Sequence, residues 1–231
     1  MIASGGDDGR VVLLKSDVGT EVNKIEFTKG FGLNQVCFSS TSVHLVAASS
    51  DNTVRVYDLK QKQMVSSLSA HTSEVLAVSI NCQDNLVGSS SLDGSIFVHG
   101  LGEDTSLKQK LSLNSYKCAN LQFSYLKEFQ LGSGHDDGTI AVWDVSMGKM
   151  FHKFENKHQE GCTGITFSPV NHMLMGSVGK DKKVIFYDIF KSKKVVEDLN
   201  LPEACTCVSF NHDGYTIAVG TIEGNVYALD L

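Results

Sequence analysis

The sequence predicts an all-β protein folded as a β-propeller. Three observations carry that expectation: an eight-residue motif recurring six times at a near-constant interval, apolar alternation of period two on either side of it, and short strands with no helix in each unit.

The motif opens at Asp8, Asp51, Asp93, Asp137, Asp181 and Glu223, with the octets DGRVVLLK, DNTVRVYD, DGSIFVHG, DGTIAVWD, DKKVIFYD and EGNVYALD. The starts lie 43, 42, 44, 44 and 42 residues apart. Self-similarity at this period marks a repeat architecture. The first two positions suit a tight turn, where Gly supplies positive φ and Asp or Asn bonds back to the backbone. The fourth position holds Val11, Val54, Ile96, Ile140, Val184 and Val226, and the sixth holds Leu13, Val56, Val98, Val142, Phe186 and Ala228. Apolar, often β-branched residues at every second position read as a buried strand.

Upstream of the last five turns stands a second strand, with Val36 and Phe38, Val78 and Ile80, Leu121 and Phe123, Ile165 and Phe167, and Val208 and Phe210. Small residues mark a third between them: Ala47–Ser49, Gly88–Ser89, Gly132–Ser133, Gly176–Ser177 and Ala218–Gly220. A more polar fourth follows the motif at Met64–Leu68, Leu107–Leu111, Met150–Phe154 and Lys194–Leu199. One four-stranded sheet cannot bury both its faces, and radial stacking of neighbours does so.

At these residues the chain resembles the WD-repeat family. Trp143 and Asp144 form the literal WD dipeptide, Tyr57-Asp58 and Tyr187-Asp188 are aromatic variants of it, and Ala70-His71 stands where the family often has Gly-His. The resemblance covers essentially the whole chain and implies a His, Ser, Asp and Trp framework within a blade. His71 is followed by Ser89 and Asp93, with His99 at the Trp position. His158 leads to Ser177 and Asp181, with Tyr187 there. The Trp143 blade has Ser133 and Asp137 but no His ahead of them. The expectation is that some blades are held mainly by apolar packing.

The chain is also similar to the N-terminal propeller of the WD-repeat subunit that targets the γ-tubulin ring complex to centrosomes and spindles. The residues that carry this are SYLK at 124–127, GTIAVWDV at 138–145, HKF at 152–154, GITFSPVN at 164–171, DKK at 181–183, YD at 187–188 and KSKK at 191–194. That resemblance implies a non-catalytic interaction scaffold in microtubule nucleation and in spindle and centrosome organisation. The implied location is the cytoplasm and cytoskeleton, at a microtubule-organising centre, with γ-tubulin complex or centrosomal proteins as partners. In that family the γ-tubulin contact is carried largely by a helical C-terminal region, which these 231 residues lack. The competing expectation is a generic WD-repeat adaptor in another assembly, such as ubiquitin ligation or cilia.

Residues 1–231 are expected to form one propeller domain, incomplete at both ends. Its six units hold about 22 strands, where seven blades of four would need about 28. The expectation favours part of a seven-bladed ring over closure with six blades.

The formal net charge of −6 argues against nucleic acid as a partner, which would favour a basic excess. No run reaches the ~18 apolar residues that span a membrane. Six cysteines without a CxxC pair are few for a disulfide scaffold of this length, and buried Cys serves as a small apolar side chain. The patterns GxxxxGK[ST], HExxH and GxSxG are absent, so no enzyme, cofactor, metal or small-molecule substrate is expected. The turn aspartates lie one per unit and suit turn stabilisation better than calcium.

Strand order sorts the loops. The acidic turns and the connections into the inner strands share a first face, with Asp7, Asp8, Asp51, Asp93, Asp136, Asp137, Asp181 and Glu223. Loops after the YD and WD positions share the second, with Lys60, Lys62, Lys149, Lys191, Lys193 and Lys194. Lys60, Lys62, Lys191, Lys193 and Lys194 are the candidate partner-binding residues, set against the plainer role of solvating exposed loops.

Overall fold

The computed structural model describes residues 1–113, 117–190 and 195–231. Twenty-two strands in these residues form six antiparallel sheets. The first blade holds β1 (Ile2–Gly5), β2 (Arg10–Leu14) and β3 (Glu21–Glu26). The second holds β4 (Leu33–Phe38), β5 (His44–Ser49), β6 (Val54–Asp58) and β7 (Gln63–Leu68). The third holds β8 (Val75–Ile80), β9 (Leu86–Ser91), β10 (Ser95–Gly100) and β11 (Leu107–Ser112), and the fourth β12 (Cys118–Phe123), β13 (Gln130–His135), β14 (Ile140–Asp144) and β15 (Lys149–Phe154). The fifth holds β16 (Cys162–Phe167), β17 (Leu174–Gly179), β18 (Lys183–Asp188) and β19 (Val195–Asn200), and the sixth β20 (Cys205–Phe210), β21 (Thr216–Thr221) and β22 (Val226–Asp230). The all-β fold and its repeat units are therefore as the sequence predicts.

The blades stack in chain order, with β1 on β4, β4 on β8, β8 on β12, β12 on β16 and β16 on β20. Five apolar layers lie between them, one at each junction. Period-two alternation sends successive residues of one strand into different layers. On β14, Ala141 and Trp143 face the third blade, while Ile140 and Val142 face the fifth. On the sixth blade Ala218, Val226 and Ala228 are exposed, on the side away from the fifth.

The blades are also laced by hydrogen bonds along the axis. Gln35 Oε1 accepts the Val78 N–H at 2.9 Å, Ser79 Oγ the Phe123 N–H at 2.8 Å, and Gln122 Oε1 the Phe167 N–H at 2.9 Å. A β-bulge opens each inner strand β4, β8, β12, β16 and β20. A bulge leaves one residue unpaired and re-aims it. Asn34 and Thr163 are such residues: Asn34 Nδ2 donates to the Val75 carbonyl at 2.8 Å, and Thr163 Oγ1 to that of Cys205, also at 2.8 Å. The strands enclose an axial channel of about 290 Å³ lined by Gln35, Ser79, Asn120 and Gln122 among others.

Cys118, Cys162 and Cys205 are buried in the inter-blade layers, and burial pushes the Cys118 thiol up to about 12. Cys207 is exposed.

At the tight turn before β14, Gly138 has φ +78°, and a Cβ there would fall 1.7 Å from the His158 carbonyl oxygen. Gly224 has φ +86° with open space around it. Gly224→Ala should cost roughly 1 kcal/mol in urea unfolding, from backbone strain alone. Gly138→Ala should cost clearly more, about 3 kcal/mol or above, because a backbone atom must move. Equal losses would show that the turn gives way freely.

Candidate functional site: the buried framework and the two loop faces

The fifth blade assembles all four framework roles. His158 Nδ1 lies 2.9 Å from Asp181 Oδ1, His158 Nε2 lies 2.7 Å from Ser177 Oγ, and Ser177 Oγ lies 2.8 Å from the Tyr187 hydroxyl. Burial holds His158 below its ordinary pKa against the pull of Asp181, so the ring is neutral. The proton order then follows. An ionised carboxylate only accepts, so Nδ1–H donates to Asp181 and Nε2 accepts from Ser177, whose oxygen accepts from Tyr187. Tyr187 thus supplies the donor that Trp gives elsewhere. It is fully buried, and its ring centroid is 4.7 Å from that of Phe154.

The third blade varies the pattern. His71 Nε2 meets Ser89 Oγ at 2.8 Å, while Nδ1 meets Ser95 Oγ at 2.9 Å. Ser95 in turn donates to Asp93, which also accepts the Thr72 N–H at 2.8 Å. His71 Nδ1 and Asp93 Oδ1 are 3.7 Å apart, so Ser95 is interposed. His99, at the Trp position, is buried and adds a ring contact to Phe97 at 6.3 Å.

In the fourth blade Trp143 Nε1 donates to Ser133 Oγ at 2.8 Å, and Ser133 Oγ lies 2.9 Å from His135 Nε2. His135 comes from β13 itself, two residues beyond Ser133. It supplies the imidazole missing from the usual place, which the sequence reading did not find. An H at i+2 from the framework Ser, on the same face of a strand, was the available signal.

The turn aspartates are engaged locally. Asp51 accepts from Thr53 N–H at 3.1 Å, Asp137 from Thr139 N–H at 2.9 Å, and Asp181 from Gln159 N–H at 3.1 Å. Bonds from Asp93 to Thr72 and from Asp181 to Gln159 tie the acidic turns to the connections entering the inner strands, which fixes the first face.

The second face joins the β4–β5 and β6–β7 types of loop, as where Leu59 N–H donates to the Val43 carbonyl at 2.8 Å. Lys60 and Lys62 are exposed there, as is Lys149 at the start of β15. Lys191, Lys193 and Lys194 lie outside the described residues. This face also holds carboxylates that a lysine tally overlooks. Asp58 accepts the Lys60 and Gln61 N–H groups at 2.7 Å, and Asp144 accepts from Ser146 Oγ at 2.6 Å and Met147 N–H at 3.1 Å. Asp84 accepts four hydrogen bonds from Ser40 and Thr41 across the junction of the second and third blades. Burial opposes ionisation of Asp84, but these donors hold its carboxyl below the usual range.

Repeat, sheet order and framework define a WD-repeat propeller. Residues 21–58 and 62–99 match the WD domain, G-beta repeat family, and the chain belongs to the WD-repeat family. It is similar to Protein NEDD1 of Homo sapiens, 34% identical over 230 residues, which is 100% of this chain and 35% of that protein. Protein NEDD1 of Bos taurus is 38% identical over 204 residues, 87% of this chain and 31% of that protein. Periodic tryptophan protein 2 of Arabidopsis thaliana is 24% identical over 196 residues, 85% of this chain and 22% of that protein. The chain spans about a third of the length of the NEDD1 relatives it matches.

Two predictions follow from the framework. Tyr187→Phe deprives Ser177 of its donor and should cost about 1–3 kcal/mol in chemical unfolding, with the sheet intact by circular dichroism. For His71, burial lowers the pKa from 6.5 to about 4 despite Asp93. A histidine whose folded pKa is depressed binds its proton more readily when unfolded. Its contribution is therefore complete above pH 6.5 and is lost as pH falls towards 4. His71→Asn should lower the melting temperature at neutral pH but flatten its fall between those limits. An unchanged slope would remove His71 from the acid response.

Proposed function

We propose that this chain is a non-catalytic interaction scaffold acting in γ-tubulin complex recruitment, and so in microtubule nucleation and spindle and centrosome organisation. The observation that carries the reading is similarity to Protein NEDD1 along the whole chain. The motif series from 124 to 194, read above as similar to the γ-tubulin-targeting subunit, supports it. The mechanism is binding alone: a stack of blades, locked by buried layers and inter-blade bonds, holds its loops in fixed relation. Preorganised loops lose little conformational freedom on association.

The second face is the candidate docking side, with Lys60, Lys62, Lys191, Lys193 and Lys194 steering an acidic partner surface. Cationic loops raise encounter rates with acidic partners, and salt screens the effect. The wider likeness to Periodic tryptophan protein 2 favours a second reading, a WD-repeat adaptor in another assembly.

Affinity capture from dividing cells, with the intact protein as bait and mass spectrometry of the prey, tests the first reading. γ-Tubulin and its complex proteins should be recovered, whereas an unrelated assembly without γ-tubulin would transfer the function to the second. Reversal of all five lysines to Glu should weaken capture and reduce its dependence on salt. Full capture by a folded, reversed variant would rule out the lysine face.

A further inference from the structure

Among the described residues, each sheet ends at its outer side on one strand: β3, β7, β11, β15, β19 or β22. Each of these pairs with a single neighbour, so the backbone N–H and C=O groups along its other side meet no strand. Such an edge is a template for a further strand, and proteins commonly guard it with charge, lysine above all.

The outer strands differ in that guard. β3 carries Glu21, Lys24 and Glu26, and β11 carries Lys108 and Lys110. β15 carries Lys149 and Lys153, β19 carries Glu197 and Asp198, and β22 carries Asp230. β7 reads QMVSSL from Gln63 to Leu68 and holds no charge. Leu68 turns into the inter-blade layer, whereas Met64 and Val65 are 36% and 45% exposed. A one-residue bulge opposes Val65 to the step between Val56 and Tyr57. The same bulge recurs in β3, β11, β15 and β19, so it does not set β7 apart. The absence of charge does.

That absence also decides the occupant. A strand that pairs with its own copy about a two-fold axis sets like residues near like. Like charges across an antiparallel pair are destabilising. β11 and β15 would bring lysines towards lysines, and β19 carboxylates towards carboxylates. β7 meets no charge in its copy. Lys60 and Lys62, just ahead of β7, would fall at opposite ends of the pair. Six residues at ~3.4 Å each hold them roughly 20 Å apart, well beyond the ~8 Å screening length of physiological salt. We propose that β7 pairs antiparallel with β7 of a second copy of this chain, making the protein a two-fold dimer. The axis passes near Val65 and Ser66, and the two second blades become one continuous sheet. Met64 and Val65 then acquire cross-strand neighbours. The contact lies on the outer rim and leaves both loop faces free, so it does not depend on the γ-tubulin reading.

Sedimentation velocity of the intact protein over roughly a hundred-fold range of concentration should show a species that doubles in mass. Amide hydrogen exchange in β7 should slow over the same range, and exchange in β11 and β15 should not. Val65→Lys with Ser67→Lys, both at exposed sites, gives β7 the kind of charge that β11 carries and should weaken the doubling at least ~10-fold. Val65→Glu with Ser67→Glu should do the same. An equimolar mixture of the lysine and glutamate variants should restore it, which two unfolded variants could not do. Val22→Lys, at the equivalent bulge of β3, should leave it unchanged. A mass that never doubles, a doubling indifferent to the β7 variants, or a mixture that fails to recover would overturn the proposal. So would a protein that stays single but binds extended peptides along β7, which would make the occupant a partner's strand.

Discussion

Every inner sheet of this protein is apolar on both faces, and that constraint dictates the rest. A sheet with two dry faces is insoluble alone and must be sandwiched. Repetition at 42–44 residues provides identical neighbours, and the fold is the result of stacking them. The core is correspondingly divided into five layers rather than gathered into one. Val54 and Val56 serve one layer while Tyr57, next in sequence, serves the layer behind. A substitution at one position therefore acts first on one junction, as expected of a quasi-one-dimensional protein.

The polar framework is secondary to that packing but gives each blade its internal order. In the fifth blade the hydrogen bonds run in one direction, from phenol to hydroxyl to imidazole to carboxylate. In the third an extra serine is spliced in, and in the fourth the imidazole arrives from the neighbouring position on the same strand. What persists is the central serine, Ser89, Ser133 or Ser177, which is buried in each case. A hydroxyl both donates and accepts, so it tolerates changes of partner on either side. This explains how the framework survives with one tryptophan in the whole chain.

Most of the architecture was legible in the sequence because period two and the octet are properties of single strands. His71, His158, Ser177, Asp181 and Tyr187 are legible in the sequence because the repeat aligns them against one another. His135 was missed because it replaces a residue that the third and fifth blades take from the connection into the inner strand, and its one sequence signal is its place two residues beyond Ser133 on the same strand face. The inter-blade acceptors Gln35, Ser79 and Gln122 were equally hidden, since alternation says only that they point away from the apolar side. The charge of the second face was misjudged in emphasis: Asp58 and Asp144 lie there as well, tied to their own turns. A cleft of about 270 Å³ between the fourth and fifth blades joins Phe129, Phe151 and Phe190, whose separation in the chain has no short-range meaning.

The lacing along the axis has a consequence for recognition. The amide oxygens of Gln35 and Gln122 and the hydroxyl of Ser79 line the channel, and each already accepts a backbone N–H of the next blade. A small polar solute entering the channel would have to compete with the bonds that hold the sheets at their angle to one another. Ligand affinity there would come at the expense of the blade stack's own geometry. Selection for binding is thereby displaced outward to the loops, where sequence can change without loosening the axle.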